Sequence, residues 1–402
     1  MHKISLTGQI AIGVLIGALV GLLLPKWAEN LTIIGDIFLR LLQMVIVWLI
    51  LGAVIEALGS LKFAELGKLG LKTCLWFTIT TILAAVEGVF LGLVFKPGTM
   101  LRLPNLVKTK AVLHSSVNLR AAILQLFPNN IFASLTKGNV IQVIVFAVLF
   151  GLVLSRANEN NEYHLVLKLI RQFNQLIVKL VMLIIKFAPL GIACMFASTI
   201  AKNGGKVFLP LLYFLVLYAV AVIVFLLALF IFVSLVAHVS FWGLVKGLTR
   251  IIVVAFTTTS SAATLPIEMI DAQEKLGVSK SVTQLVLPLG MALNSNGLAL
   301  YLSLVCITLM QLYGASLVPV LLLKIILLAV LSCLGTVVVP GGGIVALTIA
   351  LPVLGFPNTC IALFAGIDWF VGMFRAVANV VGDTITAVGV AASTNQLNRD
   401  VY

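Results

Sequence analysis

Apolar residues run along this chain in blocks too long and too continuous for a soluble fold. Blocks near 7–25, 32–58, 69–95, 125–155, 165–201 and 207–237 reach the roughly 20 residues that a bilayer core about 30 Å thick requires. They predict six membrane helices. A membrane barrel would alternate polar and apolar positions, and a run such as Val207–Ala237 excludes it. The first block, Ile10–Pro25, follows Lys3 and resembles a signal peptide in pattern. No small-residue cleavage site stands out and further helices follow, so it predicts a first membrane helix. Residues 97–124 are polar and basic, with Pro97 and Pro104, and predict an external connection between the third and fourth helices.

The second half has a different pattern. The run 241–274 is interrupted by Thr257–Pro266, and the run 318–355 by Val339–Gly343. Each half-run is too short to span comfortably. A break at mid-depth predicts a hairpin that enters and leaves on one side, because non-helical backbone is tolerated there only inside protein or beside a water-filled cavity. Two kinked, fully spanning helices are the alternative. Paired interrupted segments point to a transporter binding site. Between them, 281–312 is broken by Asn294-Ser295-Asn296-Gly297. Unwound carbonyls and amide oxygens there suit a cation. The last helix, about 359–393, carries Arg375, Asn379 and Asp383 at four-residue spacing, which stacks guanidinium, amide and carboxylate on one face. Ionisable groups at that depth mark a solute or ion path. The arginine reads as a carboxylate receptor, and the aspartate and asparagine as hard oxygen ligands.

Composition agrees with this reading. Of the 402 residues, 61% are apolar and 10% charged, with mean hydropathy +1.20, against about 25% charged in a typical soluble domain. The fold class is all-α polytopic membrane protein. A net charge of +13 reflects Lys and Arg in loops and helix ends, which set topology, and implies no nucleic-acid partner. Lys3, Lys62, Lys68, Lys72, Arg156, Lys168, Arg171, Lys246 and Arg250 fall on one side if helices alternate, which would put the N-terminus in the cytoplasm. Arg102, Lys108, Lys110 and Arg120 break the pattern. Cys74, Cys194, Cys306, Cys333 and Cys360 show no metal or redox spacing and read as packing residues. His2, His114, His164 and His238 read as solvated. No catalytic pair, phosphate-cradling loop or resident cofactor is indicated, so an enzyme is not expected.

The ordered set Thr259–Pro266, Leu287-Pro288-Leu289-Gly290 leading into Asn294–Gly297, Pro340–Gly343, and Gly366-Ile367-Asp368 through Asp383 resembles the dicarboxylate/amino acid:cation symporter family, the glutamate transporter homologues. The resemblance covers essentially the whole chain. It implies eight membrane helices and two re-entrant hairpins with inverted repeats, in a homotrimer within the lipid bilayer of the cell (inner or plasma) membrane. Scaffold helices one and two would occupy 1–68 and helices four and five 125–206. Helix three and the external loop (69–124) and residues 207–402 would form the mobile transport domain of an elevator mechanism.

By the same resemblance, Arg375 binds the distal carboxylate of a small anionic solute and Asn379 lies near the solute and a first cation. Ser260 and Ser261 receive the other carboxylate, and Gly341 and Gly342 belong to the second hairpin tip, the extracellular gate. Asp383 helps bind sodium with backbone from Gly290 and Asn294. Thr80 and Thr81 line a deeper sodium site, and Asp368 supports the cation sites from behind. The departures matter most. Gly372 stands where the amino-acid transporters have an aspartate that grips the amino group, and Ala376 where they have a threonine. This favours a dicarboxylate without an amino group, with acidic amino acids as the alternative. Asn296 and Leu298 replace an aspartate and a threonine, which removes a formal charge from the deeper sodium site and makes proton coupling, or fewer sodium ions, a second option for the coupling ion. Glu87, alone in the third helix, is then a candidate proton carrier. A carboxyl satisfied by a neighbouring hydroxyl is the alternative. An anion channel or a transport-dead sensor on the same fold are the competing functions.

Overall fold

Backbone that must satisfy its own hydrogen bonds in lipid folds as helix, and the apolar blocks do so. The computed structural model describes residues 6–60, 63–100, 124, 127–158, 163–334, 342–357 and 359–402. The first half contains α1 (Leu6–Leu23), α2 (Pro25–Asn30), α3 (Thr32–Gly59), α4 (Phe63–Phe95), α5 (Ile131–Lys137), α6 (Val140–Ala157), α7 (His164–Ile185) and α8 (Ala188–Asn203). The second half contains α9 (Phe208–Ala237), α10 (Phe241–Thr258), α11 (Ser261–Glu274), α12 (Lys280–Leu293) and α13 (Asn296–Leu312). Then follow α14 (Pro319–Leu334), α15 (Gly342–Val353), α16 (Thr359–Ala365) and α17 (Asp368–Ser393). Among the described residues the one β feature is an isolated bridge, Val278 to Leu397. Among the described residues six stretches are long and apolar enough to cross a membrane, α2–α3, α4, α9, α10, α12–α13 and α17, or seven if the bent pair α7–α8 is one span.

The predicted blocks become helices, with three corrections. Block 125–155 divides at Gly138, whose φ of +67° ends α5 in a left-handed turn. Block 165–201 bends by 52° between α7 and α8, where Pro189 at the start of α8 contributes no N–H to the preceding turn. Block 359–393 divides at Gly366–Ile367, so Asp368 opens α17. The predicted external connection, apart from 97–100 and 124, lies outside the described residues, as do Lys3, Lys62, His2, His114 and the tip 335–341.

Surface exposure marks the solvent as lipid. On α9, Leu209, Leu212, Val216, Ile223, Leu227 and Phe232 are exposed, while Leu211, Phe214, Tyr218, Ala221 and Phe225 on the opposite side are buried. A helix apolar on both sides belongs in a membrane.

Two sets of helices organise the core. In the first, α1 packs along α8, and α3 against α6, α7 and α8. In the second, α4 runs beside α13, and α17 packs on α9, α10, α11, α12 and α13. Fewer elements join the sets, with α8 touching α16, α6 touching α14 and α3 touching α15. At one end of the second set, Arg250 and Lys275 pair with buried Asp271 at 3.3 and 3.0 Å. At that same end Lys72 donates to the Ser393 carbonyl at 2.9 Å and Arg399 to the Ala237 carbonyl at 2.9 Å.

Candidate solute and cation site

Hydroxyl chemistry makes the first break. Thr257 and Thr258 hydroxyls donate to carbonyls of their own helix, Val253 and Val254, at 2.8 and 2.7 Å. Such bonds compete with the backbone ladder. Thr259 then turns left-handed (φ +52°), and Ser260 caps α11 by accepting from the Ala263 N–H at 3.3 Å. One helix stops and the next starts within two residues. The second break is built differently. Asn294 is extended and Ser295 opens α13. The orphan Gly297 N–H of that new helix donates at 2.9 Å to Asn379 Oδ1 on α17, and Tyr218 donates to the Gly297 carbonyl at 2.9 Å.

Arg375 sits two helical turns after Asp368, so the two share a face of α17. Arg375 Nη1 donates to Asp368 Oδ1 at 3.1 Å, with the side chains 14% and 9% exposed. Asp368 is in the first turn of α17, where the helix dipole favours an anion. Gly343 on α15 closes against this pair, and a Cβ there would collide with Asp368 Oδ1 and Arg375 Nη1. Beside the pair lies a cavity of about 510 Å³. Its lining includes Thr258–Ala262 from the first break, Ser295 from the second, Gly342 from α15, and Asp368, Gly372, Arg375, Ala376 and Asn379 from α17. Phe38, Leu42 and Ile192 of the first helix set close its far wall. The cavity therefore joins the Arg375–Asp368 ion pair, the Asn379 amide, several hydroxyls and apolar surface. A Cβ at Gly372 would meet only Arg375 Nη2, at 3.5 Å, so nothing in the fold demands a glycine there.

A second cluster lies further along α17. Asp383 is 1% exposed, and its Oδ1 accepts from Asn294 Nδ2 at 2.7 Å. The same amide reaches the Asn379 carbonyl at 3.3 Å. Thr81 on α4 donates to Asn296 Oδ1 at 3.2 Å and to Asn294 Oδ1 at 3.5 Å. Gly290 lies against the Asp383 carboxylate. Asp383 Oδ1 and the Asn379 carbonyl thus meet at the Asn294 amide nitrogen, and the Asn294 and Asn296 amide oxygens at the Thr81 hydroxyl, which gathers hard oxygen donors of the kind a small cation takes.

The sequence-predicted residues thus separate into two groups. Arg375, Asn379, Ser260, Ser261, Gly342, Gly372 and Ala376 share the cavity. Asp383, Gly290, Asn294, Asn296, Asn379 and Thr81 share the buried cluster. Thr80 is buried and donates to its own helix at Phe77 O, 3.2 Å away. Asp368, expected behind the cation sites, pairs with the Arg375 guanidinium, because its spacing puts it on Arg375's face. Glu87 joins neither group, and its Oε1 is buried without a hydrogen-bond partner among the described residues. Gly341 lies outside the described residues. Glu268 escaped the sequence reading. It is 1% exposed and accepts from Thr384 Oγ1 at 3.0 Å. The rule that singled out Glu87, an acid within an apolar run, applies equally to Glu268 after Leu265-Pro266-Ile267.

Comparisons with known proteins bear on the whole chain. The profile of the Sodium:dicarboxylate symporter family matches residues 6–393. A proton/sodium-glutamate symport protein of Geobacillus stearothermophilus is 31% identical over 414 residues, covering 100% of this chain and 97% of that protein. The proton/glutamate-aspartate symporter of Escherichia coli (strain K12) is 30% identical over 415 residues, covering 99% and 94%. C4-dicarboxylate transport protein 2 of Ralstonia nicotianae is 28% identical over 405 residues, covering 98% and 90%. These relatives are transporters, not enzymes. The match in sequence along nearly its full length makes this chain a member of the sodium:dicarboxylate symporter family.

Proposed function

We propose that this protein is a secondary active symporter that takes up a small dicarboxylate with sodium ions, protons or both. The observation that carries the reading is the 14%-exposed Arg375 guanidinium facing the Ser260–Ser261 break across one cavity, with the Asp383 oxygen cluster two turns further along the same helix. A planar fork binds one carboxylate, and hydroxyls and helix-end N–H groups at the break receive the other. Asp383, Asn294 and the Asn379 carbonyl would hold the cation. Coupling is then a binding linkage in which cation and solute each raise the other's affinity. Both sites share α17 and the Asn294 break, so ordering one stiffens the other. Sodium is cargo here, and protons are the alternative coupling ion.

Gly372 and Ala376 support a solute without an amino group, since neither offers that group a partner. The glutamate and aspartate in the names of two of these relatives support the acidic amino acids as second choice. The two helix sets support an elevator in which residues 69–124 and 207–402 move against the remainder. The proposal includes eight spans, hairpins at α10–α11 and α14–α15, a homotrimer, and a cytoplasmic N-terminus on the side of Lys72 and Arg250. Counterflow in proteoliposomes with a panel of dicarboxylates and acidic amino acids, repeated without sodium and with the pH gradient collapsed, tests it. Saturable succinate- or malate-like exchange is expected. Current without saturable uptake would make the protein a channel.

A further inference from the structure

We propose that Glu268 is a second carboxylate of the cation site at Asp383, so that the site binds its cation with two formal negative charges contributed by two separate elements, α11 and α17. This deepens the symporter reading and rests on it.

Glu268 and Asp383 are each 1% exposed. Helix α11 packs on α17, and Thr384, the residue after Asp383, holds Glu268 Oε1 by a 3.0 Å hydrogen bond. Glu268 thus reaches the stretch of α17 that carries Asp383. Among the described residues neither forms an ion pair. Three basic groups of this helix set are committed elsewhere, Arg375 to Asp368 and Arg250 and Lys275 to Asp271. Two buried carboxylates are costly when ionised unless they are paired, and a shared cation would pair both.

A separate observation concerns the Asp383 face of α17. Thr386, 1% exposed, has a buried Oγ1 without a hydrogen-bond partner among the described residues. It lies three residues after Asp383 on α17, hence on the same face. A hydroxyl oxygen is a further hard donor for a cation. Asn294 presents its Nδ2 to Asp383 Oδ1 and to the Asn379 carbonyl, and Thr81 its hydroxyl to the Asn294 and Asn296 amide oxygens, so these donors reach the cluster as neutral groups. The consequence concerns charge count. Asn296 contributes an uncharged amide to the neighbouring cluster, and Glu268 returns a formal charge one element away. The cation affinity of this chain therefore depends on α11, the second arm of the first break, whose tip also lines the solute cavity. Cation occupancy would order that arm directly.

The test is radioactive sodium binding to purified protein in detergent, without solute, for wild type, E268Q, E268D and D383N, each checked for fold by thermal melting. Saturable binding is expected for wild type. E268Q should raise the half-saturating sodium concentration by roughly tenfold or more, while E268D, which keeps the charge, should recover most of the affinity. E268Q combined with D383N should fall short of the product of the single effects, because both act on one ion. A folded E268Q with half-saturation within about twofold of wild type overturns the assignment. So does unchanged sodium binding together with loss of pH dependence of uptake, which would make Glu268 a proton carrier. Absence of sodium binding in wild type is a different result and removes the sodium reading of the symporter itself.

Discussion

Gly290→Ala tests the cation cluster without touching any charge. A Cβ at Gly290 would sit 2.5 Å from Asp383 Oδ1, 2.6 Å from Cγ and 2.9 Å from Phe77 Cζ, where ordinary contact starts at 3.4 Å. The ring closes one side, so the carboxyl must retreat by about 1 Å, and a displacement of that size at a binding centre costs on the order of 100-fold. The same retreat stretches the 2.7 Å bond from Asn294 beyond hydrogen-bond range. Losing a bond to a charged group costs about 1.5–3 kcal/mol, which is roughly 10- to 100-fold in affinity. Helix propensity acts in the opposite sense, since alanine is favoured over glycine by about 1 kcal/mol. A loss of sodium affinity would therefore not come from a weaker helix. The assay is sodium-dependent binding on purified protein, with Gly372→Ala as control, because a Cβ there meets nothing closer than 3.5 Å. The predicted result is a 10- to 100-fold higher sodium midpoint for Gly290→Ala and an unchanged one for Gly372→Ala. A folded Gly290→Ala protein with the wild-type midpoint would refute the assignment of Asp383 to the cation.

Gly372→Asp places a carboxylate in open space beside Arg375. It should shift competition toward aspartate or glutamate over succinate by about tenfold or more, measured as displacement of labelled succinate. Asn379→Ala leaves the Gly297 N–H without its 2.9 Å acceptor. A lost cap of this kind costs about 1 kcal/mol, read as a lower melting temperature together with weaker solute binding. Thr259→Gly relieves a side chain held at φ +52°. It should stabilise the protein by about 1 kcal/mol and leave the break at Ser260 in place, both readable from thermal melting and uptake.

The elements that the chain announced most clearly are those whose cause is local. Thr257–Ser261 carries its own stop and start signals, and Asn294–Gly297 is a polar interruption in an apolar run, so both breaks were legible. The bend between α7 and α8 was not, because Lys186-Phe187 lacks glycine and the signal, Pro189, lies just inside the next helix. Arg375, Asn379 and Asp383 could be placed on one face by counting. The same counting puts Asp368 on that face, seven residues earlier. The family resemblance drew attention to the cation sites instead and hid the ion pair. Glu268 was hidden for a different reason. Its partner Thr384 is 116 residues away, and only the packing of α11 on α17 joins them.

Coupling between Arg375's cavity and Asp383's cluster is the central claim, and reciprocal binding tests it most directly. Calorimetric titration of the preferred dicarboxylate into purified protein, with sodium present and with sodium replaced by choline, should give an affinity at least about fivefold tighter in sodium. The dicarboxylate should raise sodium affinity by the same factor, and Arg375→Ala should abolish solute binding while leaving sodium binding in place. Equal dicarboxylate affinity with and without either cation gradient's ion, or an Arg375→Ala protein that binds the solute as wild type does, would contradict the account.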